Sequence, residues 1–183
     1  MIHLKNRDWK AFFIGDLFMV KRPKPRSEKQ YPTGNIPFVA SGNLNNGVIK
    51  FCASQENEKP DHGNCITVSP IDGSAFYQKT DFLGRGGAGS SVLLLYCEQL
   101  NRYTGLFLSR MIRQTCSKYC YGKMGSQEGI KRERILLPVD TAGLPDFPFM
   151  ETYIKERERL LLQKYQTFIG GLAQSKEVKK QNS

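Results

Sequence analysis

The spacing of apolar residues changes twice along this 183-residue chain, and the change leaves few architectures open. Up to position 96 the apolar residues come in short bursts: Ile36-Pro37-Phe38-Val39, Val48-Ile49-Lys50-Phe51-Cys52, Cys65-Ile66-Thr67-Val68, Ala75-Phe76-Tyr77-Gln78 and Val92-Leu93-Leu94-Leu95-Tyr96. Bursts of this length fenced by turn formers read as strands, and Gly42-Asn43 with Asn45-Asn46-Gly47 gives tight-turn signals between the first two. Over positions 101–116 the period lengthens. Leu106, Phe107, Met111 and Ile112 recur at helical spacing with Arg102, Arg110 and Arg113 around the remaining face, which predicts an amphipathic helix packed on the sheet. Residues 130–138 return to a strand and 140–147 form a proline and glycine hinge. A long helix is then expected over 149–172.

In that helix Met150, Ile154, Arg157, Leu161, Phe168 and Leu172 form a stripe with spacings of four, three, four, seven and four, as in a coiled coil. Arg157 interrupts the seam and Gly170-Gly171 weakens the last turn, so a helix folded back on its own domain is the alternative. The expected class is α/β (α+β): a β-rich domain with packed helices over residues 1–145, a spacer or dimerisation helix over 146–174, and a polar, disordered tail over 175–183. Before the strands, Trp9, Phe12, Phe13, Ile14, Leu17 and Phe18 are spaced to hold a short helix or turn against the core. Pro23 and Pro25 then make residues 21–26 an extended basic loop.

A chain of this size, 39% hydrophobic and 24% charged, can bury one core of roughly 130 to 150 residues. The net charge of +10 is unevenly placed: residues 1–31 carry eight Lys or Arg against three acids and residues 102–134 eight against two, whereas 51–81 carry five acids and two lysines. Two distant basic blocks meeting on one face would steer a polyanion. The second block interleaves Lys118, Lys123, Lys131 and Arg132 with Tyr119, Tyr121 and glycines, a mixture suited to phosphates, base edges and close backbone approach. Candidate phosphate contacts are Lys21, Arg22, Lys24 and Arg26 on one loop and Arg113, Lys118, Lys123, Lys131 and Arg132 on the other block. Tyr119, Tyr121 and Arg85 are candidates for closer groove contacts, while Tyr77 and Gln78 read equally well as packing residues.

Catalytic readings fare worse. Residues 84–91 are rich in glycine, but they lack the Gly-Lys-Ser/Thr ending of a nucleotide phosphate loop and lead into a strand where a helix is required, so a turn carrying Arg85 is the better account. His62 with Cys65 and Cys116 with Cys120 could make a zinc site on paper, yet neither pair has the Cys-x-x-Cys turn, and no metal is expected. Pro145-Asp146 with Glu177-Val178-Lys179 imitates a nuclease motif only weakly, because its lysine falls in the polar tail. His3 and His62 lack an identifiable nucleophile, and no methyltransferase motif is present, so no catalytic residue is expected. Residues 1–10 already hold Lys5, Arg7, Asp8 and Lys10, and no stretch approaches a membrane span. With five cysteines, an odd number, set mostly among apolar neighbours, a cytoplasmic, membrane-free protein with reduced thiols is expected.

Several segments taken in order carry a resemblance. Trp9 with Ile14-Gly15-Asp16-Leu17-Phe18, Gly34-Asn35-Ile36-Pro37-Phe38-Val39, Gly63-Asn64-Cys65-Ile66-Thr67-Val68, Gly73-Ser74-Ala75-Phe76-Tyr77-Gln78, Tyr119-Cys120-Tyr121-Gly122-Lys123 and Arg134-Ile135-Leu136-Leu137-Pro138 before a long helix resemble the target-recognition domain of type I restriction-modification specificity subunits. The resemblance runs over residues 9–172 and implies a domain that reads one half of a bipartite double-stranded DNA site, followed by a helix acting as ruler and docking surface. Full-length members carry two such units; one unit without an internal repeat looks like a half-subunit, pairing with itself as a homodimer or with another half. The implied partners are DNA adenine methyltransferase subunits and a restriction and motor subunit, which would hold the S-adenosylmethionine, magnesium and ATP. Residues 144–151 depart from the family's Pro-x-x-Glu-Gln helix opening, which leaves a type I complex and a related fused system both open as partners. A stand-alone nucleic-acid-binding regulator would share the same charge pattern.

Overall fold

The computed structural model describes residues 3–87 and 91–181, with side chains through position 170. In chain order the elements are β1 (Trp9–Phe13), α1 (Ile14–Leu17), β2 (Met19–Lys21), β3 (Thr33–Val39), β4 (Val48–Cys52), β5 (Cys65–Val68), β6 (Ala75–Gln78), β7 (Leu83–Gly84), β8 (Leu93–Tyr96), α2 (Arg102–Cys116), α3 (Gln127–Lys131), β9 (Arg134–Pro138) and α4 (Phe147–Gln181). The mixed fold class agrees with the sequence reading, and β4, β5 and β6 span the bursts expected to form them.

Among the described residues the strands form three small sheets, ordered β2-β8-β5-β6, β4-β3-β7 and β1-β9. All four residues of β5 are buried, because its sheet is covered on both faces. On one face Ile66, Val68, Ala75, Leu93 and Leu95 pack with Phe107, Leu108 and Ile112 of α2. On the other, Cys65 and Leu94 join Val39, Phe82 and Val92. Each fully buried Leu, Ile or Phe contributes about 1.5 to 3 kcal/mol relative to exposure, so this two-sided packing makes the four-stranded sheet the rigid reference for everything attached to it.

Helix starts are set by side-chain caps. Asn101 accepts from the amides of Tyr103 and Thr104, while Thr104 Oγ1 accepts from the Asn101 amide, a reciprocal box that starts α2. Asp146 Oδ1 accepts from the Phe149 amide at 2.9 Å and starts α4, so the aspartate of the weak nuclease motif serves as a helix cap.

Three local expectations change. The opening segment is the expected short helix only over Ile14–Leu17, α1; before it Trp9–Phe13 is a strand, β1, pairing with β9 from Trp9↔Pro138 to Phe13↔Arg134, and Ile14 and Phe18 enter the core. The expected strand over 130–138 begins only at Arg134, because Ser126 accepts from the Gly129 amide and nucleates α3. Helix α4 continues through residues 175–181, where a disordered tail was expected; Lys176, Glu177, Lys179, Lys180 and Gln181 are good helix formers. Among the described residues no helix is long and apolar enough to cross a membrane.

Burial also fixes the thiol chemistry. Cys65 and Cys116 are fully buried, and burial pushes both thiols up to about 12. Cys120 is exposed. A thiol reagent at neutral pH is expected to label Cys120 first and to reach Cys52, Cys65 and Cys116 only on unfolding; rapid labelling of Cys65 in the folded protein would contradict this packing. Because the folded-state thiols are raised, the stability they contribute is complete below the ordinary thiol value of about 8.5 and declines as pH rises toward 12.

Candidate nucleic-acid interface

Strand register brings the predicted basic segments together. Lys21 pairs with Leu94 and Val68 with Leu93, so β2 ends, β5 ends and β8 begins at the same end of the four-stranded sheet. β6 also begins there, with Val68 opposite Ala75. Three loops leave from that end. The first is residues 21–26, following β2. The second is the Arg85 turn, whose carbonyl accepts from the Val92 amide just before β8. The third is the segment from Cys116 to Gly125, seated on the β5–β6 turn: the Gly125 amide donates to the Pro70 carbonyl at 2.8 Å. A bridge between Pro25 and Gly86 joins the first two loops, and the Gln127 side chain donates to the Val20 carbonyl at 2.9 Å, tying the third to β2.

On these loops Lys21, Arg22, Lys24 and Lys123 are exposed, Tyr121 is 82% exposed, and Arg85 is half-buried. Lys21 Nζ lies 5.5 Å from the centre of the Tyr96 ring. Arg113, near the C-terminus of α2, sits 5.9 Å from the Phe76 ring at the same end. Lys118 is exposed but ion-paired to Glu133 at 2.5 Å. Lys131 pairs with Glu128 at 2.8 Å, and Arg132 Nε donates to the Glu128 carbonyl, so these two sit along α3 on the flank with their charge partly offset. Cations already paired to their own carboxylates give less attraction to an outside phosphate.

Two predicted contacts are corrected. Arg26 has a side chain only 1% exposed, held by Glu58 and Asp61 at 2.6 Å each and by the carbonyls of Gly84 and Lys59. It cannot reach a phosphate; the loop turns it inward because two carboxylates across from it neutralise the charge. Burial opposes its charge, but hydrogen bonding to Glu58 and the charge of Asp61 outweigh this and hold the guanidinium above its ordinary value. Tyr119 is 7% exposed, packed in the main core, so it supports the junction from beneath and makes no groove contact. The Tyr119 ring occupies the space where a Cβ at Gly125 would stand, which lets the segment fold tightly over it. Tyr77, in β6, donates to Asn64 Oδ1 at 2.9 Å, and Gln78 donates to the Asn46 carbonyl and Thr67 Oγ1; both pack within the domain. Residues 88–90 of the glycine-rich turn lie outside the described residues.

The partner helix divides into two parts. Met150 is fully buried in the domain core with Ile154 packed against it, which corrects their assignment to a partner surface. The Phe107 edge meets Tyr153 at 6.0 Å, Arg157 stacks at 5.1 Å on Tyr153, and Glu158 pairs with Arg102 at the start of α2. Beyond Glu158 the helix leaves the domain, exposing Leu161 and Phe168 together with Leu162, Tyr165 and Ile169. The last three were missed because the sequence reading followed one continuous stripe from Met150; a second register, Leu161-Tyr165-Phe168 with Leu162 and Ile169 beside it, was visible in the spacing. The Leu172 side chain lies outside the described residues. The helix departs at the end of the sheet opposite the basic loops: Asn64, just before β5, donates to the Leu100 carbonyl at the start of α2, whereas the C-terminus of α2 abuts the β5–β6 turn.

Comparison with known proteins identifies a family and a shared fold. The family described as type I restriction modification DNA specificity domain matches residues 6–166. The specificity subunit S.BcgI of the type II restriction enzyme BgcI from Heyndrickxia coagulans is 30% identical over 158 residues, covering 85% of this chain and 45% of that protein. Among solved structures, a type I restriction-modification S subunit from M. genitalium superposes with a TM-score of 0.58 at 13% identity, over 93% of this chain and 44% of that one. The HsdS subunit from Thermoanaerobacter tengcongensis gives 0.53 at 14% identity, over 85% and 38%. At these identities the structures share the fold. The chain spans about half the length of the relatives it matches.

Proposed function

This chain belongs to the family of type I restriction-modification DNA specificity domains, and from that premise we propose that it reads one half of a bipartite double-stranded DNA site and directs partner subunits to it. The observation that carries the reading is the placement of the basic loops at one end of the sheet and the departing helix at the other. A unit built this way holds DNA with Lys21, Arg22, Lys24, Arg85, Tyr121 and Lys123 while the exposed face of α4 engages protein. Phosphate contacts from the lysines fix register, and Tyr121 and Arg85 supply base-edge contacts. The second half-site falls to a second recognition unit, and two-fold pairing of identical units gives an inverted-repeat target with a fixed spacer.

In this reading the chain makes and breaks no bond. A DNA adenine methyltransferase, with a restriction and motor activity beside it, carries the chemistry together with S-adenosylmethionine, magnesium and ATP, in the cytoplasm. The test is to co-produce the chain with its methyltransferase and map methylated bases across the host DNA. A gapped motif that vanishes when the chain is omitted is expected. Methylation at an uninterrupted motif, or methylation or cleavage by the purified chain alone, would overturn the proposal.

A further inference from the structure

A cluster carrying net negative charge lies directly behind the basic loops: Arg26 with Glu58 and Asp61 sums to −1 when all three are ionised. As a source of positive field it works against a polyanion, so its contribution must lie elsewhere. Its geometry joins three separate segments. Arg26 Nε donates to Glu58 Oε1, Nη1 to Asp61 Oδ2 and to the Gly84 carbonyl at 3.2 Å, and a third nitrogen to the Lys59 carbonyl at 3.2 Å. Asp61 Oδ2 also accepts from the Gly84 amide at 3.0 Å, and its own backbone bridges Phe82. Glu58 Oε1 accepts from the Tyr31 hydroxyl at 3.0 Å, and Tyr31 is buried against Phe38 and Leu83.

Two of the three exposed cations of the first loop, Arg22 and Lys24, therefore sit within four residues of a fully buried guanidinium, and Arg85 directly follows the glycine that the same guanidinium and Asp61 grip. Between them Gly86 lies so close to Lys24 that an added Cβ would stand 2.0 Å from the Lys24 carbonyl oxygen. We propose that Arg26, Glu58 and Asp61 form a positioning clamp that fixes the Arg22-Lys24 loop and the Arg85 turn relative to each other, so that Arg22 and Lys24 meet DNA phosphates while Arg85 meets a base edge in one rigid register. Arg26 acts through its neighbours and touches no DNA. A lysine in its place would keep the charge but lose the planar fork that reaches two carboxylates and two carbonyls at once. Holding the loops in advance spares the ordering cost of binding.

The proposal rests on the DNA-reading function above, and its test separates the two. The full chain is titrated with a pool of random-sequence double-stranded DNA at several salt concentrations, as wild type and as Asp61→Ala, Glu58→Gln and Arg22→Ala. Both clamp variants raise the net charge by one, which on charge alone would tighten binding. The clamp predicts the opposite sign: Asp61→Ala weakens binding by about tenfold and Glu58→Gln by a smaller factor despite the added charge. Arg22→Ala weakens binding and lowers the salt slope, as loss of a phosphate contact should. Should Asp61→Ala fail to fold, Glu58→Gln carries the comparison. In the wild type itself, the Gly84 amide should exchange as slowly as those of the β5 core. Equal or tighter binding by a folded clamp variant, or fast exchange at Gly84, overturns the clamp and leaves DNA reading intact. Failure of the wild type to bind the pool overturns the reading and the clamp with it.

Discussion

Gly73→Val is expected to destabilise the domain by about 3 to 5 kcal/mol, the sum of a left-handed backbone penalty and a steric one. Gly73 lies at φ +69°, where a β-branched residue is strained. A Cβ there would stand 1.9 Å from the Cys116 carbonyl oxygen and 2.4 Å from its carbonyl carbon, both backbone atoms that no rotamer change can move. The substitution must therefore drive the β5–β6 turn away from the end of α2, taking with it the Pro70 carbonyl that receives the Gly125 amide. Chemical denaturation measures the stability loss, and amide exchange at Gly125 reports the local opening. Lys118, Tyr121 and Lys123 lose their fixed position in the same event. A variant whose stability stayed within about 0.5 kcal/mol of wild type would show that the turn and the junction are not packed as described.

A paired substitution on the departing helix, Leu161→Glu with Phe168→Glu, should have the opposite profile. Leu161 is 67% exposed and Phe168 64%, with Leu162, Tyr165 and Ile169 alongside, so the folded domain gains little from them. Thermal unfolding of the isolated domain should be almost unchanged, because surface substitutions away from special features stay within about 0.5 kcal/mol. Association with the partner half and the methyltransferase should fall by about 100-fold or more, since placing two carboxylates in an apolar seam removes contacts and buries unpaired charge. Sedimentation of the chain alone and co-purification with the methyltransferase read the two associations separately. If both complexes survived with wild-type affinity, α4 beyond Glu158 would not be the assembly surface.

How far the sequence could be read depended on the range of the interactions involved. Strands β4, β5 and β6 were legible because a burst of β-branched and aromatic residues between turn formers specifies a strand locally, and α2 was legible from its period. β1 was not, because Trp9-Lys10-Ala11-Phe12-Phe13 carries no clear alternation and becomes a strand only by pairing with β9, more than a hundred positions away. α3 was hidden by the apolar run after it, although Ser126 was the signal for its start. The candidate site divides in the same way. Lys21, Arg22, Lys24, Tyr121 and Lys123 are exposed on the segments where their composition placed them. Arg26 and Tyr119 belong to those same segments and are buried, a distinction no local pattern carries, because it depends on Glu58, Asp61 and the main core arriving from elsewhere in the chain.

The sequence alone determined that this protein is a sheet-rich domain with a long helix after it, that its positive charge lies in two blocks, and that glycine and tyrosine accompany the second. Those properties follow from residue type and near-neighbour spacing, which act at short range. The tertiary structure alone decided that residues 21–26 of the first block and 116–125 of the second share one end of the β2-β8-β5-β6 sheet, because that follows from strand register and contacts between segments far apart in the chain. It also decided which cation faces outward and which is turned into a carboxylate pair. It set the point at which α4 stops being core and becomes a free apolar face, since burial depends on what other segments bring to a residue and not on the residue itself.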